Sequence, residues 1–128
     1  MKVKEMEIAK LIPYANNPRK NENAVGPVAE SIKAFGFKVP VVVDKDGVIV
    51  AGHTRIEAAK RLGMDKVPCV VADDLTPEQV RAFRLADNKV SEFAEWDAVK
   101  LADELAELSD VDMQDFGFDL VELGGGRR

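Results

Sequence analysis

The chain has few of the residues on which several common kinds of site depend. Its 128 residues include one cysteine and one histidine, which excludes an internal disulfide framework and a zinc site built from cysteine and histidine. A Ser-His-Asp hydrolase would have to use that histidine, His53. No run of about 18 apolar residues is present, and the start, MKVKEMEIAK, has no signal-peptide stretch. We therefore expect a cytoplasmic protein without a membrane-spanning segment.

Positive charge is also scarce, and it is unevenly distributed. The net charge is −5, but residues 1–71 carry 12 Lys or Arg against 8 Asp or Glu, whereas residues 72–128 carry 6 against 15. Nucleic-acid affinity depends on basic side chains that neutralise phosphates, so the chain is expected to be a poor autonomous DNA or RNA binder. The basic first half can still meet a phosphate-bearing ligand, although a solvated mixture of charges fits the same counts.

Hydrophobic periodicity and turn residues predict an α+β fold, in the order β-loop-α-β-β-α-β-α-α. The predicted strands cover residues 3–8, 39–43, 48–50 and 67–72, and the predicted helices cover residues 25–35, 55–62, 77–88 and 97–108. This order is typical of a small mixed β-sheet covered by helices. We divide the chain into a mixed α/β core at about 1–72, a helical part at about 76–108, and a short turn with a flexible tail at 109–128.

Local signals predict where the helices begin. Thr76, Pro77 and Gln79 predict a capping box for the third helix, and Asp97 predicts the N-cap of the fourth. Pro27 is placed in the first turn of the first helix, where proline is tolerated. The apolar stripe predicted for the fourth helix comprises Val99, Leu101, Ala102, Leu105 and Leu108.

The stretch IVAGHTRIEAAKRLG, residues 49–63, concentrates residues suited to binding chemistry. Thr54 and Glu57 match a capping box, which gives a purely structural interpretation. The alternative is an anion site, because a helix N-terminus presents unpaired amides and partial positive charge, and Gly52 would let a ligand approach the backbone. Arg55 favours this alternative, since a cation in the first turn opposes the helix dipole unless an anion lies in front of it.

A family likeness is carried by four stretches that occur in a fixed order: PYANNPRKNE, SIKAFGFKVPVVV, IVAGHTRIEAAKRLG and RLADNKVSEFAEWD. Together they resemble the ParB N-terminal domain of the ParB/sulfiredoxin superfamily, whose core pattern is Gly-x-x-Arg followed by an Ala-rich helix. The Gly-His-Thr-Arg variant looks most like the domains attached to phage and mobile-element DNA methyltransferases, which are often labelled ParB-like nucleases. The resemblance covers about residues 3–108 and implies a ParB/sulfiredoxin-like fold, with the domain at 1–108.

This resemblance implies nucleotide binding assisted by Mg²⁺, with CTP, ATP or ADP as the nucleotide. The implied phosphate and nucleotide contacts are Gly36, Gly52, His53, Thr54, Arg55, Asn17 and Arg19, and Pro40 helps to shape a wall. Asn88, with Asp87, would face the metal. The domain would serve DNA-directed machinery such as DNA partition, transcription regulation or DNA modification, and would reach DNA through another domain or a partner protein. A nucleotide-dependent homodimer is also implied.

Departures from the family pattern keep two other functions open. His53, Thr54 and Glu57 stand where ParB boxes carry Glu, Arg and Arg, so the resemblance does not extend to CTP selectivity, and nucleotide hydrolysis stays open. One alternative is a metal-dependent DNA nuclease with His53 or a metal-bound water as the active group. The other is a nucleotide-dependent small-molecule kinase with Glu22 or Glu7 as its base. Sulfinic-acid reduction is not expected, because the box lacks the sulfiredoxin cysteine.

Four further residues have competing interpretations. Cys69, in an apolar strand, is predicted to be a buried small hydrophobe. Trp96 is predicted to form a hydrophobic staple on Leu101, with base stacking as the alternative. Arg81 and Arg84 either form a basic strip towards the pocket or lie on a solvated helix face.

Overall fold

The described part of the chain folds into four strands and four helices. The structure, a computed structural model, describes residues 2–17, 20 and 22–118. The strands are β1 (Val3–Glu7), β2 (Val41–Asp44), β3 (Ile49–Ala51) and β4 (Lys66–Ala72), and the helices are α1 (Glu22–Phe35), α2 (His53–Arg61), α3 (Pro77–Val90) and α4 (Ala98–Ala106). Short 3-10 turns lie at Ile8–Lys10, Ser91–Phe93 and Met113–Phe116. The predicted α+β class is confirmed, while the predicted tail at 119–128 lies outside the described residues.

The strands form one mixed sheet in the order β1-β4-β2-β3. β1 pairs antiparallel with β4, β4 pairs parallel with β2, and β2 pairs antiparallel with β3. The parallel pair requires a crossover, which β3 and α2 provide between β2 and β4. The core around the sheet includes Val41, Val43, Ile49, Val67 and Cys69, all of them fully or almost fully buried. Because β3 is an edge strand, the turn that follows it lies at the rim of the sheet.

α2 packs on the sheet, and α1 packs on α2. Ile56 and Ala59 of α2 belong to the buried cluster of the sheet, whereas Ala58 of the same helix packs with residues of α1. Two faces of α2 are therefore buried: Ile56 and Ala59, three residues apart, share one face, whereas Ala58 points to another side of the helix. This double packing fixes the position of the first turn of α2, where the site is built.

The start of α1 differs from the prediction. The helix begins at Glu22, three residues earlier than the predicted 25, so Pro27 lies inside the helix and its predicted place in the first turn is wrong. A proline inside a helix removes one backbone hydrogen bond and crowds the preceding turn. Burial of Val25, Ala29 and Ile32 against α2 compensates for that cost, since each removes apolar surface from water.

The predicted caps of α3 and α4 are confirmed, but two residues of the predicted α4 stripe are exposed. The Thr76 hydroxyl accepts a hydrogen bond from the Gln79 amide at 3.2 Å, and the Gln79 side chain accepts one from the Thr76 amide at 2.9 Å. Asp97 caps α4 by accepting from backbone amides of its first turn. Within α4, Leu101 is buried, whereas Val99 is 71% exposed. The prediction for Val99 is wrong because the first turn of this helix faces solvent. The prediction for Leu108 is also wrong, because the helix ends at Ala106 and this side chain is 44% exposed.

Cys69 and Trp96 occupy different environments. Cys69 is fully buried, as predicted, and burial raises the pKa of its thiol. Trp96 contacts the ring of Phe118, with ring centroids 5.7 Å apart, and stays 70% exposed, so a staple on Leu101 would bury little of its ring. Within the described ranges, no helix combines the length and the apolar character that a bilayer crossing requires.

Candidate functional site

The turn from β3 into α2 begins at a glycine that acts as the helix cap. Gly52 has φ +115° and occupies the N-cap position, its carbonyl accepts a hydrogen bond from the Ile56 amide at 2.9 Å, and no side chain caps the helix. The predicted capping box of Thr54 and Glu57 is therefore wrong, because Thr54 already lies in the first turn. The first amides of a helix have no intrahelical acceptor. This end of α2 thus presents backbone donors without a side-chain acceptor of its own.

The reason for a glycine at position 52 also differs from the prediction. A Cβ built there would lie 3.0 Å from Cγ2 of Val41 and 3.2 Å from Nη2 of Arg55. The missing side chain therefore faces β2 and the Arg55 guanidinium instead of a ligand. Its positive φ is a second reason, since that region is strained for residues with a Cβ.

Arg55 is partly buried and held by the loop between α1 and β2. Its Nη2 donates a hydrogen bond to the Pro40 carbonyl at 2.9 Å, and its Nε is buried without a partner among the described residues. Burial lowers the pKa of the guanidinium, and the negative charge of Asp87 opposes that shift. Arginine nevertheless stays charged at neutral pH. Arg55 therefore places a fixed positive charge beside the turn, and Pro40 contributes to the site through its carbonyl.

His53, the first residue of α2, connects the turn to residues 11–17. Its Nε2 accepts a hydrogen bond from the Tyr14 backbone amide at 3.2 Å, so the ring proton of the neutral form is on Nδ1. Burial lowers the pKa of the imidazole, the charge of Arg84 lowers it further, and Glu57 opposes the shift. His53 is thus held neutral and anchors the preceding segment. To act as a base through Nε2 it would have to give up the Tyr14 bond.

A cavity of about 310 Å³ lies in front of this turn. It brings together the predicted residues Asn17, Gly52, His53, Thr54, Arg55, Asp87 and Asn88, and also Lys20, Ala24, Val50, Ala51 and Ser91. We call it the first cavity. Residues from three separate parts of the chain therefore meet at the predicted site.

Among the described residues, the predicted contact Gly36 is not one of those that line the first cavity, and two polar residues there were missed. Gly36 ends α1 with φ +87° but does not line the cavity, and Arg19 lies outside the described residues. Lys20 and Ser91 line it and were not predicted. Lys20 follows the Asn-Pro-Arg segment directly, which could have indicated it, and Ser91 lies three residues after Asn88.

A second, larger cavity of about 710 Å³ shares Asn17 and His53 with the first. It is lined by Pro13, Tyr14, Asn17, Glu22, Val25, His53, Glu57, Lys60 and Arg61. Of the two carboxylates considered as a kinase base, Glu22 lies here. Glu7 instead forms an exposed ion pair with Lys10 at 3.2 Å. His53 stands between the two cavities.

The predicted metal residues, Asp87 and Asn88, line the same first cavity as the turn. Nδ2 of Asn88 donates to the Arg84 carbonyl at 3.0 Å, so Oδ1 is the side-chain atom suited to a cation. Asp87 adds a carboxylate to the same lining. No group of three or more His, Cys, Asp or Glu that could hold a metal occurs among the described residues. A cation here would need ligands from a bound molecule or from water.

Arg84 is the residue whose place the sequence predicts least well. It is only 4% exposed, so neither the predicted basic strip nor the solvated helix face describes it. Its guanidinium carbon lies 3.6 Å from the centre of the Tyr14 ring, and Nη2 donates to the Ile49 carbonyl at 3.2 Å. Val80, four residues earlier, is also buried. Residues four apart share one face of a helix, so this spacing places Arg84 on the buried face of α3. The spacing is the feature of the sequence that could have predicted its burial.

Known proteins are similar to the part of the chain that contains the turn at residues 52–55. Residues 1–89 match the model of the ParB N-terminal domain. The ParB-like nuclease domain-containing protein YnaK of Escherichia coli is 44% identical over 80 residues, which is 62% of this chain and 92% of that protein. The stage 0 sporulation protein J of Bacillus subtilis is 37% identical over 91 residues, covering 67% of this chain and 32% of that protein. The chain thus spans about a third of this second relative.

Solved structures show the same fold. The chromosome-partitioning protein ParB of Caulobacter crescentus, complexed with CTP-γ-S, superposes with a TM-score of 0.72 at 23% identity, covering 98% of this chain and 70% of that chain. Sulfiredoxin of Arabidopsis thaliana superposes with a TM-score of 0.54 at 24% identity, covering 66% of this chain and 98% of that chain. A free serine kinase in complex with ADP superposes with a TM-score of 0.52 at 24% identity, covering 60% of this chain and 34% of that chain. With its ParB/sulfiredoxin-like fold and a family match over residues 1–89, this chain belongs to the ParB N-terminal domain family.

Proposed function

We propose that this chain is a nucleotide-binding domain that holds phosphates at the turn of residues 52–55. The observation that carries the proposal is the first cavity, whose lining combines a helix N-terminus, Arg55 and Lys20 with Asp87 and Asn88. A helix start with unpaired amides favours an anion, and a guanidinium adds charge-assisted hydrogen bonds. The ParB of Caulobacter crescentus was solved with CTP-γ-S and the free serine kinase with ADP, which supports a nucleotide as the ligand.

The acidic wall of the first cavity favours a nucleotide that arrives with a cation. Asp87 would repel a bare phosphate, since like charges at close range are unfavourable. A Mg²⁺ ion between them removes that repulsion, and it typically takes only one or two protein oxygens beside phosphate and water. Asp87 and Asn88 provide such a pair of oxygens. When bound, the ion would neutralise phosphate charge, while Arg55, Lys20 and the amides of the turn would orient the phosphates.

We infer that DNA is reached through another domain or a partner protein. The net charge of −5 disfavours direct binding of a phosphate backbone, and the relative from Bacillus subtilis is about three times as long as the matched region. DNA partition, transcription regulation and DNA modification are the kinds of machinery that we propose it serves. A cytoplasmic location, a nucleotide-dependent homodimer and an association with a methyltransferase remain part of this proposal.

Of the two alternatives, the kinase has more support than the nuclease. Glu22 lies in the second cavity, which adjoins the first at His53, so a carboxylate base could face a second substrate there. A nuclease would use His53, whose Nε2 accepts the Tyr14 amide, or several acidic ligands, and the described residues contain no such cluster. Phosphoryl transfer from ATP or ADP to free serine tests the first alternative. Nicking of a plasmid with Mg²⁺ or Mn²⁺, compared with His53→Ala, tests the second.

Isothermal titration with CTP, ATP and ADP, each with Mg²⁺, tests the proposal itself. We expect at least one of them to bind, and we expect Lys20→Ala and Arg55→Met each to weaken that binding about tenfold, because each removes a charged donor to phosphate. Arg81→Ala is the matched control, since it removes one exposed positive charge from α3 outside the first cavity. Absence of binding by the unaltered protein, or equal losses in all three variants, would refute the proposal.

A further inference from the structure

Burial of the charged Arg84 side chain is energetically unfavourable. Its side chain is almost fully enclosed, and its Nε lacks a partner among the described residues. A buried charge without complete hydrogen bonding costs more than an apolar side chain of similar size, so stability alone would favour methionine or leucine here. A buried polar atom left unsatisfied in a native protein calls for another explanation.

The guanidinium joins two segments that lead to the site. One face lies 3.6 Å from the centre of the Tyr14 ring, a distance at which cation–π attraction is strong for a desolvated pair. Nη2 donates to the carbonyl of Ile49, the first residue of β3, and β3 leads directly into the turn at residues 52–55. Arg84 therefore connects α3, β3 and the segment at residues 11–17.

Tyr14 passes this restraint on to two residues of the first cavity. Its amide donates to Nε2 of His53 at 3.2 Å, and its carbonyl accepts from the amide of Asn17 at 3.2 Å. His53 and Asn17 are also the two residues that the two cavities share. When the Tyr14 ring is held, the backbone on both sides of it is held as well.

We propose that Arg84 is a positioning residue of the nucleotide site: it clamps Tyr14 against β3 and so holds Asn17 and His53 at the wall between the two cavities. The inference rests on the proposed nucleotide binding. Loss of the clamp lowers the fraction of molecules whose site is competent, and the apparent affinity falls by the same fraction. If about one molecule in ten stays competent, nucleotide binding weakens about tenfold.

The test compares four variants at a temperature well below their unfolding transitions. Arg84→Met removes the guanidinium, Arg84→Lys keeps a cation that can still face the Tyr14 ring, and Tyr14→Leu removes the ring while α3 stays unchanged. Arg81→Met is the matched control, because it lies one turn earlier on the same helix and is exposed. Titration with the Mg²⁺-nucleotide that binds the unaltered protein most tightly gives the affinities. Hydrogen exchange of the amide at position 14, measured without nucleotide, reports whether the segment is held.

We expect Arg84→Met and Tyr14→Leu each to weaken binding about tenfold and to accelerate exchange at position 14, with Arg84→Lys between these variants and the unaltered protein. A fifth protein that combines Arg84→Met with Tyr14→Leu should bind no more weakly than either single variant, since both substitutions remove the same contact. Should Arg84→Met fail to fold, Tyr14→Leu carries the comparison.

If the unaltered protein binds nucleotide and the folded variants bind as tightly as Arg81→Met, this inference is wrong while the proposed function stands. If the unaltered protein binds no nucleotide, both are wrong.

Discussion

The two halves of the chain are packed very differently, and the candidate site lies where they meet. Around the sheet, Val41, Val43 and Val67 are completely buried. In the half built from α3 and α4, large apolar side chains are exposed; Phe93 is 72% exposed, and Val90, Trp96 and Val99 are exposed as well. The first cavity takes its turn at residues 52–55 from the first half and Asp87, Asn88 and Ser91 from the second.

This difference suggests which wall of the site is rigid. The turn follows a strand of the well-packed sheet and begins a helix that is buried on two faces. Asp87 and Asn88, which also line the cavity, belong to a helix with few buried side chains, Val80 and Arg84. We therefore expect the turn to keep its geometry when a ligand binds and α3 to adjust.

The largest expected effect tests the packing difference directly. Ile49→Ala removes a side chain that is 1% exposed and should lower the free energy of unfolding by about 3 kcal/mol, through lost burial and a remaining void. Val99→Ala, on the exposed turn of α4, should change it by less than about 0.5 kcal/mol. Urea unfolding followed by circular dichroism measures both. Equal losses would contradict the division into a well-packed half and a loosely packed one.

A glycine pair tests why the turn has its conformation. Gly52→Ala should cost about 2 kcal/mol, because the new Cβ meets Val41 at 3.0 Å and the residue keeps a positive φ. Gly63→Ala also keeps a positive φ, of +77°, but nothing lies within 4 Å of the new Cβ. It should therefore lower the free energy of unfolding by about 1 kcal/mol. The same urea titrations give both values. If the two substitutions cost the same, contact with Val41 does not explain Gly52.

The wall formed by α3 is tested through the cation dependence of binding. Asn88→Ala should leave nucleotide affinity without Mg²⁺ nearly unchanged and remove most of the gain that Mg²⁺ gives, about tenfold, because it takes away an oxygen ligand. Titrations with Mg²⁺ and with a chelator measure that gain. Gln114→Ala, which removes a side-chain amide away from the cavity, is the control. An unchanged Mg²⁺ dependence in Asn88→Ala would assign the cation to other ligands.

The smallest expected effect is the pH dependence contributed by His53. Burial lowers the pKa of His53 below its usual value near 6.5, and the positive charge of Arg84 lowers it further. The negative charge of Glu57 partly opposes this shift. The unfolded chain therefore binds the proton more readily, so this contribution to stability is complete above about pH 6.5 and is lost as the pH falls through 6.5 towards the lowered pKa. His53→Gln should lose less stability between about pH 7 and pH 5 than the unaltered protein. The urea midpoints of both proteins at the two pH values measure this loss of stability. An equal loss in both proteins would contradict the lowered pKa of His53.

Sequence patterns predicted most of the fold and the composition of the site, but not its internal contacts. Alternation at residues 3–8 and short β-branched runs at residues 39–43, 48–50 and 67–72 located all four strands, because such local patterns follow from how a strand packs in a sheet. The capping box at residue 76 was readable since it depends on local backbone alone. The box expected at Thr54 failed, because the helix starts at a left-handed glycine whose conformation is set by contact with Val41. Arg84 was misjudged for a similar reason, since its partners Tyr14 and Ile49 are far away in the sequence.

A single nuclear magnetic resonance titration tests the central claim, that the amides at the start of α2 hold the phosphates of a nucleotide. Backbone amide shifts are followed as CTP, ATP or ADP is added with Mg²⁺. We predict that the largest changes occur at residues 53–55, with smaller ones at Asn88 and Asn17. Saturable binding whose largest shifts lie elsewhere, with residues 53–55 unmoved, would contradict the account.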